Sequence, residues 1–386
     1  LCDADVVSPC DDGLSAFSRR GCTSARDSYD VIQGTYDNPV YQAGYNEGGR
    51  PYRTAESGGQ FIYDSGGVPI RQGIESMCYT LAVPKGDQPD DGWPVVIYGH
   101  GTGGNYASQT FDGTAERLTA LGYAVVGFDN VMHGPRSGME PEDYIFDAGM
   151  AFFNLANPRA SRDNVLQGSA DLFQLVRLVR NAGVSVDGLD VSFDEDMVVF
   201  FGHSQGTVIA PAFLAAESDL QAAILSGAGA ELALSILNKK EPIDIAALTA
   251  SVFGDKSLAR LHPMMGIFSA LFGPADAISY GGMFAQERVG GDDGFHILMT
   301  SGLTDSYTPK QTHAAMIRSQ GFPLVGDVTE SIDGVEELEN GVSGNINGNT
   351  VGAVQIADNP GSDGHFVIFA PTYGGTEEGF GAANHF

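Results

Sequence analysis

Positive charge is scarce in this sequence. Lys and Arg number 20 among 386 residues, against 49 Asp and Glu, for a formal net charge of -29. A body this acidic repels phosphate backbones, which argues against a nucleic-acid partner and against docking on anionic lipid by charge alone. Long apolar runs are missing too. No stretch approaches the roughly 20 residues of a membrane span, so no transmembrane segment is expected. Cysteine is confined to Cys2, Cys10, Cys22 and Cys78, and no two of the four stand at C-x-x-C spacing, which argues against a metal site. No cofactor is expected.

What is present is a globular composition. Hydrophobic residues make up 42%, and 52 glycines suit many tight loops. The length admits two to three domains or one large one. Four cysteines crowded at one end predict two disulfides pinning an N-terminal arm in an oxidising compartment, with three pairings open. The chain starts at Leu1 without a charged and then apolar leader, so it reads as a processed product, secreted or extracytoplasmic. The excess carboxylate also suits a saline habitat.

Residues 1–60 are rich in Asp, Gly, Ser and Tyr with poor periodicity, and read as an extended, cross-linked arm. From Phe61 the pattern changes. Phe61–Tyr63, Ile74–Val83 and Val95–Tyr98 have strand character. A helix over Thr114–Leu121 stops at Gly122, and a buried strand follows at Tyr123–Phe128. Gln167–Arg180 carries a helical stripe, Met197–Phe201 is a buried strand, Thr207–Ala216 a helix and Ala222–Leu225 a strand. This alternation predicts an α/β fold with a mostly parallel, doubly wound sheet over residues 61–386. Residues 231–290, rich in Ala, Leu, Met and Phe, read as a helical cap inserted over the sheet edge, whose Met264, Met265, Phe268 and Phe272 form its core or line an apolar site. The strand pattern returns at His296–Thr300, and the Gly/Asn-rich residues 326–352 read as a surface excursion.

Two motifs carry chemistry. Gly202-His203-Ser204-Gln205-Gly206 follows a strand and opens a helix, the context in which a serine is lifted above a sheet edge at a helix N-terminus. His100-Gly101-Thr102-Gly103-Gly104 follows the strand Val95–Tyr98. An oxyanion hole needs two backbone N–H groups aimed at one oxygen. Gln205 would give one and Thr102 the other, with Gly103 next in order.

A serine hydroxyl needs a base. Of the histidines after Ser204, His262 and His313 fall in or beside helical patterns, His296 opens a strand and His385 is next to the end. His365, in Asp363-Gly364-His365-Phe366, is the expected base. The acid that orients it should leave a strand end between the two. Asp305 fits; Asp292 and Asp293 precede the strand, and Asp327 and Asp358 fit less well. His133, after the strand Tyr123–Phe128, either lines the site or shapes its loop. The acidic runs Asp11-Asp12 and Asp194-Glu195-Asp196 lack EF-hand spacing and read as solvated.

The ordered set His100–Gly104, Gly202–Gly206, Asp305 and His365 resembles the α/β-hydrolase superfamily of esterases and lipases. The segments VVIYGHGTGG (Val95–Gly104), GYAVVGFDNVMHG (Gly122–Gly134) and RDNVLQGSAD (Arg162–Asp171) are similar to those of bacterial virulence-factor-type extracellular lipases. The resemblance implies hydrolysis of a small-molecule or lipid-like carboxylic ester through an acyl-enzyme. Polyester or lysophospholipid hydrolysis uses the same machinery. A peptidase would need basic or amide-selecting groups, for which only Arg136 and Arg162 stand near the motifs, and a non-catalytic binding protein would have no need of the ordered triad.

Overall fold

A computed structural model describes residues 1–3, 6–11, 20–22, 25–241, 243–291, 294–357 and 363–369. Asp12, Asp292, Asp293, Asp358 and His385 lie outside the described residues. The chain forms two compact units, residues 1–201 with 219–221, and residues 202–218 with 222–386.

The first unit holds β1 (Tyr29–Val40), β2 (Gly73–Pro84), β3 (Trp93–Gly99), β4 (Ala124–Phe128), a small hairpin of β5 (Val184–Val186) and β6 (Leu189–Val191), and β7 (Phe193–His203), whose last two residues pass into the second unit. Its sheet runs β1-β2-β4-β3-β7. β1 and β2 pair antiparallel over their whole length, β2 pairs antiparallel with β4, and β4 pairs parallel with β3. Val95, Ile97, Val125, Phe128, Val198 and Phe200 are fully buried, as near-continuous apolar runs covered on both faces should be. Among the described residues its α-helices are α1 (Thr114–Ala120), α2 (Tyr144–Phe152) and the long α3 (Pro158–Asn181). Gly122, at φ 87°, stops α1 where the sequence predicts. Pro158 opens α3, and the Asn157 side chain accepts from the Ala160 N–H as its cap.

The second unit holds β8 (Ala222–Ser226), β9 (His296–Gly302), β10 (Leu324–Val325), β11 (Glu337–Leu338) and β12 (Val351–Ile356) in the order β8-β9-β12-β10-β11, every pair parallel. Its helices are α4 (Gln205–Val208), α5 (Pro211–Ala216), α6 (Leu232–Asn238), α7 (Ile245–Phe253), α8 (Pro263–Phe272) and α9 (Lys310–Gln320). α6, α7 and α8 occupy the interval between β8 and β9. Within α8, Met265 and Phe272 are buried, and the Phe268 and Phe272 rings stack at 4.2 Å.

Several elements differ from expectation. The N-terminal segment includes the twelve-residue strand β1, whose Gly, Asp, Asn and Pro mask its β character. Phe61 and Tyr63 make only isolated bridges. The helix expected over Thr207–Ala216 is two, because Pro211 lacks the N–H needed to continue the first. The two expected disulfides are Cys2–Cys22 and Cys10–Cys78.

Candidate functional site

In the second unit, β7 turns sharply into α4 at Ser204. Its backbone sits at φ 52° and ψ -115°, a region costly for any residue with a Cβ. The turn is pinned from several sides. Ser204 donates its N–H to the Ser226 carbonyl at 2.8 Å, at the end of β8. The Ser204 carbonyl accepts from the Thr207 and Val208 N–H groups and from the Thr207 hydroxyl at 2.7 Å. Such over-determination holds a strained serine in place. Gln205, directly after it, is the first residue of α4 and is buried.

Asp305 leaves the end of β9. Its Oδ1 accepts from the N–H groups of Tyr307 at 2.9 Å and Thr308 at 2.6 Å, and its Oδ2 lies 2.8 Å from His365 Nδ1. Burial alone would raise this carboxyl, but His365 and His313 outweigh it and hold Asp305 well below the usual carboxylate range. The carboxylate is therefore anionic and accepts the Nδ1–H of His365, which leaves Nε2 as the basic nitrogen.

The imidazole of His365 is buried and packed on three sides. Tyr307 stacks on it at 4.9 Å, His203 lies at 4.8 Å, and Phe366 meets it edge-on at 5.1 Å. Its backbone N–H donates to Asp363 Oδ1 at 2.8 Å. Gly227, at φ 58°, lies directly beneath: a Cβ there would stand 2.7 Å from His365 Cε1. Gly227 follows Ser226, the residue that anchors the Ser204 turn. The sequence-predicted Ser204, Asp305 and His365 thus share one neighbourhood of the second unit.

The remaining histidines have other partners. His262 caps α8, its Nδ1 accepting from the Met264 N–H, and contacts Asp255 at 3.1 Å. His296 Nδ1 accepts from the Thr350 N–H. Asp327 is exposed. His313 is the one that sequence reasoning passes over. It is buried in α9, and its Nε2 stands 3.4 Å from the same Asp305 Oδ2. Its helical setting looks structural; the signal that betrays it is its place eight residues after Asp305, where α9 packs back on β9.

In the first unit, the glycine-rich loop after β3 is braced by two imidazoles. The Gly103 N–H donates to His133 Nε2 at 3.0 Å, and the Asn130 N–H donates to His100 Nε2 at 3.1 Å. The Nδ1 atoms lie 3.0 Å from the Val131 carbonyl and 2.7 Å from the Gly101 carbonyl, which fixes both rings as Nδ1–H tautomers. Burial pushes His100 down to about 4, and burial together with His100 pushes His133 down to about 3, so both are neutral near pH 7. His133 thus shapes the loop and occupies the Gly103 amide. Thr102 is exposed beside it, and its methyl fits against α2 where Gly149 has no side chain.

Beneath this loop lies a buried ionic network. Asp129 takes a bidentate bond from Arg20 at 2.7 and 2.8 Å. Arg136 contacts Glu75 at 2.6 Å and Asp171 at 2.8 Å, and Arg50 joins Glu75. Arg162 is bonded to Asp163. Burial would raise Glu75, but Arg136 and Arg50 bring it down to about 2.

No protein-family model matches the chain, and no curated protein does. Among solved structures it is similar to an acetyl xylan esterase from Paenibacillus sp. R4, at 13% identity and TM-score 0.45, over 81% of this chain and 77% of that one. It is similar to a putative dienelactone hydrolase from Klebsiella pneumoniae, at 15% identity and TM-score 0.44, over 92% and 96%. A Pyrococcus horikoshii acylaminoacyl peptidase aligns at 10% identity and TM-score 0.45, over 90% of this chain and 39% of that one.

Proposed function

On a fold of the α/β-hydrolase type, we propose that this protein is a secreted serine ester hydrolase. The observation that carries the reading is the pairing of a strained Ser204 at a strand-to-helix turn with an Asp305–His365 couple at 2.8 Å in the same neighbourhood. In this reading the Ser204 hydroxyl attacks the ester carbonyl carbon while His365 Nε2 takes its proton. The backbone N–H groups of Thr102 and Gln205 receive the oxyanion. His365 then protonates the departing alkoxide, leaving an acyl group on Ser204. A water, deprotonated by His365, releases the acid and restores the serine. Asp305 holds the imidazole in the useful tautomer and stabilises its cation.

The residues 231–290 cap, with its Met and Phe side chains, favours hydrophobic acyl groups, polyester and lysophospholipid included. Arg136 and Arg162 are committed to internal carboxylates, which disfavours a peptidase selecting acidic residues. The two disulfides support an extracytoplasmic site of action. The test is a chain-length series of p-nitrophenyl esters beside a peptide panel. Ester turnover that falls on the order of 10⁴-fold or more in Ser204→Ala is expected; undiminished turnover in a folded Ser204→Ala protein refutes the reading.

A further inference from the structure

The Asp305 carboxylate serves two imidazoles. Its Oδ2 is 2.8 Å from His365 Nδ1 and 3.4 Å from His313 Nε2. The far side of the His313 ring is held as well: Nδ1 lies 3.0 Å from the Ser301 hydroxyl on β9. His313 and Ser301 are both buried. Among the described residues, His313 Nε2 has no hydrogen-bond partner of normal geometry, and the group it approaches is Asp305.

Resting on the reading of Ser204, Asp305 and His365 above, we propose that His313 is a positioning residue for the reaction, a second imidazole that shares Asp305 with the catalytic base. Ser301 donates its hydroxyl proton to His313 Nδ1, which leaves the ring proton on Nε2, aimed at Asp305 Oδ2. A buried carboxylate needs its lone pairs satisfied. Tyr307 and Thr308 amides satisfy Oδ1, and His365 Nδ1–H satisfies Oδ2, with His313 Nε2 approaching the same oxygen at 3.4 Å.

The consequence is a tuned base. Every donor on Asp305 draws charge away from its bond to His365. With His313 present, Asp305 stabilises the His365 cation less than an unshared carboxylate would. The other titratable groups around His365 are fixed by their own partners. Asp363 accepts from the His365 and Ser306 amides. Lys239 donates to the Tyr307 carbonyl. His203 Nδ1 faces the Ser226 hydroxyl, and the Tyr307 ring is stacked on His365. None of them touches Asp305 Oδ2.

The experiment measures kcat, KM and the pH profile of kcat/KM for a short-chain p-nitrophenyl ester, with melting temperature as the check on folding. His313→Leu is expected to lower kcat about 10-fold or more with little change in KM, and to move the acidic limb to higher pH. His313→Gln, whose amide can donate from the Nε2 position, is expected to restore most of kcat and return the limb. Ser301→Ala loosens the ring's tautomer and is expected to give a smaller loss of the same kind, about 3-fold. A folded His313→Leu enzyme with unchanged kcat and limb overturns the proposal. If that variant does not fold, a wild-type profile in Ser301→Ala overturns it instead. Failure of the wild type to hydrolyse any ester, or to lose activity in Ser204→Ala, is the distinct result that sinks the underlying reading.

Discussion

The two units bury carboxylates in different company. In the first, Asp129, Glu75 and Asp171 face the guanidinium groups of Arg20, Arg136 and Arg50. In the second, Asp305 faces the imidazoles of His365 and His313. An arginine never gives up its proton at ordinary pH, so the first arrangement can only fasten. An imidazole exchanges its proton within the physiological range, so the second can do chemistry. Both disulfides belong to the fastened unit as well. One half of the molecule spends its buried charge on rigidity, and in the proposed reading the other uses it to hold a movable proton.

The comparison breaks first at the covalent fastenings. The bridges close loops of sequence separation 20 and 68, worth about 3 and 4 kcal/mol in a chain-entropy picture. Replacing all four cysteines by alanine should therefore unfold the protein or lower its urea midpoint steeply. A midpoint close to wild type would show that the first unit does not depend on them.

Next come the ion pairs. Arg136→Met leaves Glu75 and Asp171 without their shared cation in a dry interior. Breaking a buried pair in this way costs about 3–5 kcal/mol. Denaturant unfolding should show that loss, and a change below about 1 kcal/mol would mean water or a neighbour takes over.

In the second unit, geometry rather than stability should suffer. Gly227→Ala puts a methyl against His365 at a backbone angle alanine resists. A shift of the base by about 1 Å costs on the order of 100-fold in rate. Steady-state kinetics should show that fall in kcat, and wild-type kcat would displace His365 from its assigned role.

The last effect is a pH slope. His100 and His133 take up protons near pH 6.5 when unfolded, but only near about 4 and about 3 when folded. Across that window the unfolded chain binds more protons, so stability falls as pH drops from 6.5, by at most about 1.4 kcal/mol per pH unit for each ring. Glu75, whose folded value is about 2, adds a loss of the same sign between pH 4.5 and 2. Melting temperature against pH should decline below pH 6.5, and the decline above pH 4.5 should flatten in the double variant His100→Gln, His133→Gln.

How legible all this was in the sequence depends on the kind of burial. β3, β4, β7 and β9 announce themselves because a strand covered on both faces must be apolar throughout. The first turns of α3, before Gln167, do not, because Asp163 and Asn164 are wholly buried yet polar. They are satisfied by Phe61 and Gln42, partners far away in the chain. β12, reading VGAVQI, hides behind a Gly/Asn-rich stretch, and β1 behind residues common in loops. At the candidate site, Ser204, Asp305 and His365 were legible because each sits at an element boundary with distinctive neighbours. His313 lies inside a helix, where only its place eight residues after Asp305 hints at what its side chain faces.

The most direct measurement is mass-spectrometric mapping of a fluorophosphonate adduct on the native protein. The account predicts a single adduct on Ser204, formed on the folded protein and absent when the protein is denatured first. No adduct on the folded protein, or an adduct on another serine with Ser204 unmodified, would contradict it.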